Sequence, residues 1–401
     1  MTSGINTGTL TAPMGRSIDL RPPKVLTDWL AQAGVRFNGD QPWDVQVHHP
    51  RLYRRLLASG SLGAGEAYVD GDWDCEQLDE LFTRLLRAGL DQQAVGRARL
   101  RLWLESTRHA LFNLQKRSRA FVVGEQHYDV GNDVFEAMLD SRMTYSCGWW
   151  VRADTLEQAQ FDKLELICRK LELQPGQTLL DIGCGWGGLA RHAAEHHGVR
   201  VTGVTVSREQ LELARQRCAG WPVELRLQDY RELQGRFDRI ASVGMFEHVG
   251  PKNHDVYMDT ARRLLDPDGL FLLHTIGLRG ASAATDPWID RYVFPNGKLP
   301  SATEMCEAVQ GRFVIEDWHS FGTDYDHTLM RWWDNFDRAW PSLQGRYGER
   351  FYRQWKYYLL LCAGFFRSRQ GQLWQLVLSP LQRGAVYRSI RQEALPRHRA
   401  G

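Results

Sequence analysis

The stretch LLDIGCGWGG, residues 179–188, decides the fold that we expect for this chain. A short apolar run, typical of a buried strand, leads into a loop with glycines at positions 183, 185 and 188. Glycine has no Cβ, so the backbone of this loop can approach a ligand closely. In an open parallel sheet, ligands bind beyond the carboxyl ends of the strands, where the strand order reverses. The stretch therefore predicts the ligand-binding loop of an α/β sheet.

Strand and helix patterns alternate on both sides of this loop, which predicts a doubly wound, mostly parallel sheet. A helix begins at Thr155, where Gln158 completes the pattern of a capping box, and a later helix is capped by Ser207 with Gln210. The expected strands are TLLDIG (178–183), VRVTGVTV (199–206), VELRLQD (223–229), FDRIASVGM (237–245), LFLLHTIG (270–277), RFVIEDW (312–318) and LWQLVL (373–378). Aromatic-rich helices from about 325 to 366 separate the last two of these seven strands.

The region before the sheet has a helical pattern, which predicts a second, smaller domain. Leu78, Leu81, Phe82, Leu85 and Leu86 recur at steps of three and four, as on the buried face of an amphipathic helix. We place the boundary near residue 120, between a small helical N-terminal domain (1–120) and an α/β domain (121–401). A chain of 401 residues is long enough for both.

Composition narrows the class of protein. The longest apolar run, residues 357–366, is about half of a membrane span, and the N-terminus lacks a signal-peptide pattern. The seven cysteines form no C-x-x-C pair, so we expect a reducing cytoplasm, no disulfide framework and no metal site. Net charge is only +2, yet seven basic residues and one acid lie between Arg97 and Arg119. This basic segment is either a solvated helix face or a surface that binds anionic membranes.

Two ligands compete for the glycine-rich loop. Its G-x-G-x-x-G spacing suits a nicotinamide dinucleotide, but the second strand ends at Thr205 and Ser207 rather than at the acid that binds a ribose. Asp229 ends the third strand, where its carboxylate can accept a bond from an adenine amino group, and Tyr230 provides an apolar wall. These features favour S-adenosylmethionine, and hence a class I methyltransferase with a Rossmann-like fold.

Three polar residues with apolar neighbours are candidates for the chemistry. Glu247 follows the fourth strand, His274 interrupts the fifth, and Tyr325 lies in FGTDYDHTLM. A histidine in an apolar strand is more often a satisfied core residue, and a buried tyrosine usually only packs. Because the fourth and fifth strands both end at the ligand crevice, however, we expect Glu247 and His274 to converge there.

Several motifs together resemble the bacterial cyclopropane-fatty-acyl-phospholipid synthases, which are relatives of the mycolic-acid cyclopropane synthases and C-methyltransferases. The motifs are YSCGWW, LDIGCGWGG, SVGMFEHVGPKN, LLHTIG, FPNGKLPS, FGTDYDHTLM and LLCAGFFRSRQGQLWQLV. The resemblance covers about residues 50–380. LGAGEAYVDGDWDC (62–75) is similar to the helical N-terminal domain of the phospholipid enzymes, which the mycolic-acid enzymes lack.

This resemblance implies methylene transfer from S-adenosylmethionine to the cis double bond of an unsaturated acyl chain in a membrane phospholipid. The alkene attacks the methyl carbon, and a bound bicarbonate removes a proton from that carbon so that the ring closes. It assigns the bicarbonate to the side chains of Glu247, His274 and Tyr325 and to the main chain of Cys147 and Ile276, and makes Cys362 an active-site position. The apolar neighbours of Cys362 disfavour a nucleophilic thiolate, so we expect it to line the pocket. The positions that match the cofactor site are Tyr145, Ser146, Gly183, Cys184, Gly185, Thr205, Ser207, Gln210, Asp229 and Tyr230.

The resemblance also implies a homodimer that is cytoplasmic and peripherally associated with the inner membrane. The N-terminal domain and its basic segment would then contact the anionic lipid surface, and the C-terminal insertion would form the lipid pocket. Three alternatives stay open: a fatty-acyl C-methyltransferase without ring closure, a nucleic-acid methyltransferase and a non-catalytic lipid-binding module. The second lacks support, because the chain has no [DNS]-P-P-[FY] motif, and we expect no nucleic-acid partner.

Overall fold

The computed structural model describes residues 21–90, 130–280 and 285–390. The basic segment between Arg97 and Arg119 and the domain boundary expected near residue 120 lie outside these ranges. Both therefore stay predictions. Within the described ranges, no helix is long and apolar enough to cross a bilayer.

A seven-stranded sheet forms the centre of the α/β region, as the sequence predicts. Its order is β5-β4-β3-β6-β7-β9-β8, with β9 antiparallel to both β7 and β8 and the other neighbours parallel. In the described residues the strands are β1 (Gln46–Val47), β2 (Trp73–Asp74), β3 (Thr178–Ile182), β4 (Arg200–Thr205), β5 (Val223–Leu227), β6 (Phe237–Val243), β7 (Leu265–Leu278), β8 (Phe313–Ser320) and β9 (Gly371–Pro380). The two-residue strands β1 and β2 pair separately.

The strand order reverses at β3. Strands β4 and β5 extend the sheet on one side of β3, and β6 and β7 extend it on the other. The loops that follow β3 and β6 therefore open into the same crevice, which is where ligands bind in sheets of this kind. This topology is the class I methyltransferase fold and confirms the predicted fold class.

The helices begin largely where the sequence places them. They are α1 (Lys24–Ala31), α2 (Arg51–Val69), α3 (Leu78–Arg87), α4 (Asn132–Met138), α5 (Leu156–Lys170), α6 (Gly188–His197), α7 (Arg208–Arg217), α8 (His254–Leu264), α9 (Pro287–Tyr292), α10 (Ala302–Val309) and α11 (Asp324–Arg367). Ser207 caps α7 as expected. The capping box predicted at Thr155 forms only by half: Thr155 accepts from the N–H of Gln158, but the Gln158 amide donates to Asp162 at 2.6 Å, one turn further on.

Helix α11 joins the N-terminal helices to the α/β region. It bends at Gly348, whose φ of 72° interrupts the helical backbone. Its second half packs on α3 and α2, where the rings of Phe82 and Tyr357 lie 5.1 Å apart. Arg367 at its end pairs with Asp79 of α3 and with Asp326 of its own first turn. The N-terminal helices and α11 consequently share one hydrophobic core.

The contact between α3 and α11 depends on a glycine, which gives a first prediction. A Cβ at Gly364 would lie 2.6 Å from the Cβ of Phe82 and 2.9 Å from the carbonyl oxygen of Asp79. We expect Gly364→Ala to lower the free energy of unfolding by about 1 to 3 kcal/mol, because overpacking forces the helices apart. Urea denaturation measures this change.

Gly345 in the same helix provides the matched control. It is exposed, and a Cβ there would meet nothing within 4 Å. Gly345→Ala should therefore raise the free energy of unfolding by up to about 1 kcal/mol through helix propensity alone. Similar changes in the two variants would contradict this packing of α3 on α11.

Candidate active site

A cavity of about 230 Å³ lies at the carboxyl ends of β3, β4, β5 and β6, and we call it the cofactor cavity. Its walls come from the loops that follow these strands and from the segment before α5. All ten residues that the sequence assigns to the cofactor line it: Tyr145, Ser146, Gly183, Cys184, Gly185, Thr205, Ser207, Gln210, Asp229 and Tyr230. The structure thus gathers residues from four separate segments around one space.

The glycine-rich loop holds a backbone that other residues adopt poorly. Gly183 has a φ of 82°, in the left-handed region, and a Cβ there would lie 2.9 Å from the side chain of Met245. The N–H groups of Gly183 and Cys184 both donate to the carbonyl of Val204, which ties the loop to the end of β4. Helix α6 then begins at Gly188. The loop is therefore held beside the cavity by β4 on one side and by the start of α6 on the other.

Asp229 lies just after β5, and its carboxylate pairs with Arg231, a residue that the sequence patterns do not select. Arg231, two residues further on, donates from Nε to one carboxylate oxygen of Asp229 at 2.8 Å and from its terminal nitrogen to the other. Both residues line the cofactor cavity. Arg231 therefore balances the charge of the Asp229 carboxylate and fixes its orientation towards a ligand.

Lys163 is a second residue of the cavity wall that sequence reasoning missed. It is 1% exposed, and its Nζ donates to the hydroxyl of Ser146 at 2.9 Å. Burial lowers the pKa of Lys163 to about 8, although Asp140 and Asp181 oppose the shift. Lysine in a helix is usually solvated, so the pattern alone gave no reason to select it. The one available signal is its position four residues before Ile167, on the buried face of α5.

Glu247 lies in a 3-10 turn, Phe246–His248, directly after β6. It is 6% exposed, and its Oε1 accepts from the N–H of Ile276 at 2.7 Å. Its buried Oε2 has no hydrogen-bond partner in the described part of the chain. Burial raises the pKa of Glu247 to about 7, opposed by the Ile276 N–H and the Thr275 hydroxyl. Met245 and His248 line the cofactor cavity, whereas the side chain of Glu247 contacts β7 through Ile276 and is not part of that lining.

His274 lies on β7, two residues before Ile276, and its ring is 1% exposed. The Gln375 amide of the neighbouring strand donates to Nδ1 at 3.2 Å, which leaves the ring proton on Nε2. Nε2 itself is buried with no partner in the described residues. Burial, and then the nearby cation Lys163, hold the pKa of His274 well below its usual range. The residue is therefore a neutral imidazole with one free N–H donor.

Tyr325 lies in the first turn of α11 and stacks on Phe366, with ring centroids 4.5 Å apart. Burial raises the pKa of its hydroxyl well above the usual range, and the nearby Cys147, Tyr145, Glu247 and Cys362 raise it further. The structure thus brings Tyr325, Glu247 and both cysteines into one neighbourhood. At neutral pH this hydroxyl keeps its proton and can donate a hydrogen bond.

Neither of the two cysteines in this neighbourhood is a thiolate. Burial raises the pKa of Cys362 to about 12 and that of Cys147 well above its ordinary value. A nucleophilic role requires the thiolate form. We therefore retain Cys362 as a predicted pocket-lining residue. Cys147 is held in position through its neighbour Gly148, whose N–H donates to Thr328 of α11 at 3.0 Å.

These groups fit the anion that the resemblance implies. His274 Nε2 is a buried donor, and the Tyr325 hydroxyl is neutral and can donate, whereas Glu247 Oε2 is a buried acceptor. An anion that carries one proton needs both kinds of group. For Ile276 the structure differs from the expected main-chain contact with the anion, because the Ile276 N–H donates to Glu247. The roles of all six catalytic candidates and of the cofactor residues stay predictions.

Comparisons with known proteins identify the family of this chain. Residues 115–376 match the family model described as mycolic acid cyclopropane synthetase. The cyclopropane-fatty-acyl-phospholipid synthase of Escherichia coli K12 is 51% identical over 356 residues, which are 89% of this chain and 93% of that protein. A probable fatty acid methyltransferase of Pseudomonas putida is 40% identical over 83% of this chain and 86% of its own length.

Solved structures give the same family. The cyclopropane synthase MmaA2 from Mycobacterium tuberculosis superposes with a TM-score of 0.62 at 32% identity, over 67% of this chain and 99% of that one. The mycolic acid cyclopropane synthase CmaA1, in complex with SAH and CTAB, gives 0.60 at 33% identity, over 64% of this chain and 97% of that one. The chain therefore belongs to the mycolic acid cyclopropane synthetase family and is an S-adenosylmethionine-dependent methyltransferase.

Proposed function

We propose that this enzyme transfers a methylene group from S-adenosylmethionine to the cis double bond of an unsaturated acyl chain in a membrane phospholipid, and so forms a cyclopropane ring. The observation that carries the proposal is the buried carboxyl group of Glu247, which lies in the turn that contributes His248 to the cofactor cavity and has one oxygen without a partner in the described residues. Ring closure requires a proton to leave the transferred carbon, and a buried carboxyl group that can gain and lose a proton suits that requirement.

The first step requires an enclosed apolar site. An alkene is a weak nucleophile, so the rate must come from holding it in line with the sulfonium and away from water. The rings of Tyr145, Tyr325 and Phe366 lie among the apolar residues of the hydrophobic core that the N-terminal helices share with α11. Aromatic faces stabilise a desolvated cation by about 2 kcal/mol, which would assist the carbocation that forms on the acyl chain.

The second step requires a base. Bicarbonate would supply that base if it binds here. The residues that would hold it are His274 and Tyr325, whose Nε2–H and hydroxyl group can donate hydrogen bonds, and Glu247, whose Oε2 can accept the proton that the bicarbonate carries. Ile276 then acts through Glu247, because its N–H holds the carboxylate in place. A carboxyl group with a pKa of about 7 can gain and lose a proton under working conditions.

We also infer that the enzyme works as a homodimer at an anionic membrane surface on the cytoplasmic side of the inner membrane. One observation supports the membrane part of this inference. The sequence between Arg97 and Arg119 carries seven basic residues and one acid. Each basic residue near an anionic leaflet contributes about 1 kcal/mol to binding, which is enough to hold a protein at the lipid surface.

Product analysis tests the proposed function. The purified chain is incubated with labelled S-adenosylmethionine and liposomes of unsaturated phospholipid, and the acyl chains are then analysed by mass spectrometry before and after ozonolysis. We expect a gain of one CH2 in a product that resists ozonolysis, because a cyclopropane has no double bond. Liposomes of saturated phospholipid are the control and should gain no label.

The same assay separates the alternative function. A C-methyltransferase that does not close the ring also adds one CH2, but its product keeps a double bond that ozone cleaves. The relative named a probable fatty acid methyltransferase is the reason to include this outcome. A cleavable product would overturn ring closure while leaving methyl transfer intact.

The role of Glu247 yields a further prediction. Glu247→Gln keeps an acceptor for the Ile276 N–H but cannot accept a proton, so it should lose about 100-fold or more of turnover. Binding of S-adenosylmethionine, measured by calorimetry, should be unchanged. Glu307→Gln, at an exposed position on α10, is the control and should behave as the wild type. Near-normal turnover of Glu247→Gln would rule out the proposed role.

The pH dependence of the free energy of unfolding should also report on the buried carboxyl group of Glu247. Because the pKa of Glu247 is raised from 4.5 to about 7 in the folded state, its protonated form favours the fold. This contribution is complete below pH 4.5 and is lost as the pH rises through about 7. Glu247→Gln removes the titration, so its stability relative to wild type should increase by about 3 kcal/mol between acidic and alkaline pH.

The measurement is urea denaturation of both proteins at pH values on either side of the folded pKa. Other titrating groups are common to the two proteins and cancel in the difference. A difference in stability that stays constant with pH would mean that Glu247 titrates normally.

A further inference from the structure

A second cluster of potential ligands lies away from the catalytic candidates, where α5 packs against α6. The sulfur of Cys168 and the ring nitrogens of His192 and His197 all lie within 4.8 Å of one another. Cys168 and His192 are fully buried, and the side chain of His197 is 16% exposed. None of these three residues lines the cofactor cavity, and the proposed mechanism makes no use of them.

Glu165 adds a carboxylate to this group. It precedes Cys168 by one turn of α5, and its Oε2 lies 3.0 Å from Nε2 of His197 and 3.5 Å from Nε2 of His192. We call these four residues the α5–α6 cluster. Together they offer one sulfur, two imidazole nitrogens and one carboxylate oxygen, each from a side chain that points into the contact between the two helices.

His192 is the member whose surroundings are least explained by packing. Its ring is fully buried, yet within the described residues neither nitrogen makes a hydrogen bond of normal length. A buried polar group without a partner costs about 1 to 3 kcal/mol. A metal ion bound to one of these nitrogens would remove part of that cost.

We propose that Glu165, Cys168, His192 and His197 form a structural Zn²⁺ site. Zinc prefers sulfur, imidazole and carboxylate ligands in a tetrahedral arrangement. With metal–ligand bonds of about 2.0 to 2.3 Å, such ligands lie about 3.4 Å from one another. Cys168, His192 and His197 lie within 4.8 Å of one another, and Glu165 lies 3.5 Å and 3.0 Å from the two histidine nitrogens, so the three shared ligands approach that geometry and Glu165 would complete it from the histidine side.

Charge balance supports the same assignment. When the metal binds, the Cys168 thiol loses its proton to solvent and forms an S–Zn bond. One thiolate and one carboxylate then neutralise the two positive charges of zinc, and both histidines stay neutral. A site of zero net charge is the least costly kind to bury between two helices.

The position of the site indicates what it would do. Helix α6 starts directly after the glycine-rich loop, and α5 carries Lys163 of the cavity wall. A metal between them would hold these two helices together beside β3 and so stabilise the cofactor loop. The absence of C-x-x-C pairs predicts no metal site, whereas these ligands follow E-x-x-C on one helix and H-x4-H on another.

Metal binding to the untagged, full-length chain tests the proposal. After removal of metals with a chelator, the protein is dialysed against Zn²⁺ or Co²⁺, and bound metal is measured by mass spectrometry. We expect about one ion per chain and, for Co²⁺, the near-ultraviolet charge-transfer band of a thiolate ligand. The melting temperature should rise when zinc is returned.

Variants decide whether this cluster is responsible. Cys168→Ser should lose the charge-transfer band, and His197→Gln, at a partly exposed position, should lower the bound metal even if Cys168→Ser fails to fold. Cys306→Ser and His196→Gln are the controls, since Cys306 is exposed and His196 lies outside the cluster. Absence of retained metal would overturn the proposal, as would equal binding by cluster and control variants.

Discussion

The structure of the site depends on one hydrogen bond, from the main-chain N–H of Ile276 to the carboxylate of Glu247. It connects the loop after β6 with the end of β7, so that two neighbouring strands of the sheet jointly hold a buried acid. Because only one oxygen of Glu247 has a partner in the described residues, the other remains available for chemistry. The carbonyl of Glu247 also accepts from the N–H of Lys298, which brings the segment before α10 to the same place.

Helix α11 supplies Tyr325 and Cys362, and the N-terminal helices support it. Tyr325 begins this helix, and Phe366 near its end stacks on Tyr325. The ion pair of Arg367 with Asp79 fixes the same end of α11 to α3. Tyr325, a catalytic candidate, is thus positioned by packing that involves the first 90 residues. This arrangement makes the helical N-terminal region part of the site's support.

The sequence predicted those features that depend on residues close together in the chain. The glycine-rich loop, the seven strands and the cap at Ser207 follow from local patterns. Asp229 and Thr205 were selected because they lie at strand ends, whereas Tyr145 and Ser146 were selected only through the family resemblance. Lys163 was missed because its burial results from packing against the loop that carries Ser146. The α5–α6 cluster was missed because its ligands come from two helices whose contact no local pattern encodes. The capping box at Thr155 is only half formed because Asp162, one turn later, competes for the Gln158 amide.

The ionisation of Glu247 in the folded protein tests the central claim most directly. Difference infrared spectroscopy of wild type against Glu247→Gln, recorded across a pH titration, isolates the carboxyl stretch of this one residue. A buried acid with one partnered oxygen should titrate with a pKa of about 7. A pKa near 4.5, the ordinary value for glutamate, would mean that the carboxyl group is solvated and would contradict the proton-accepting role of Glu247.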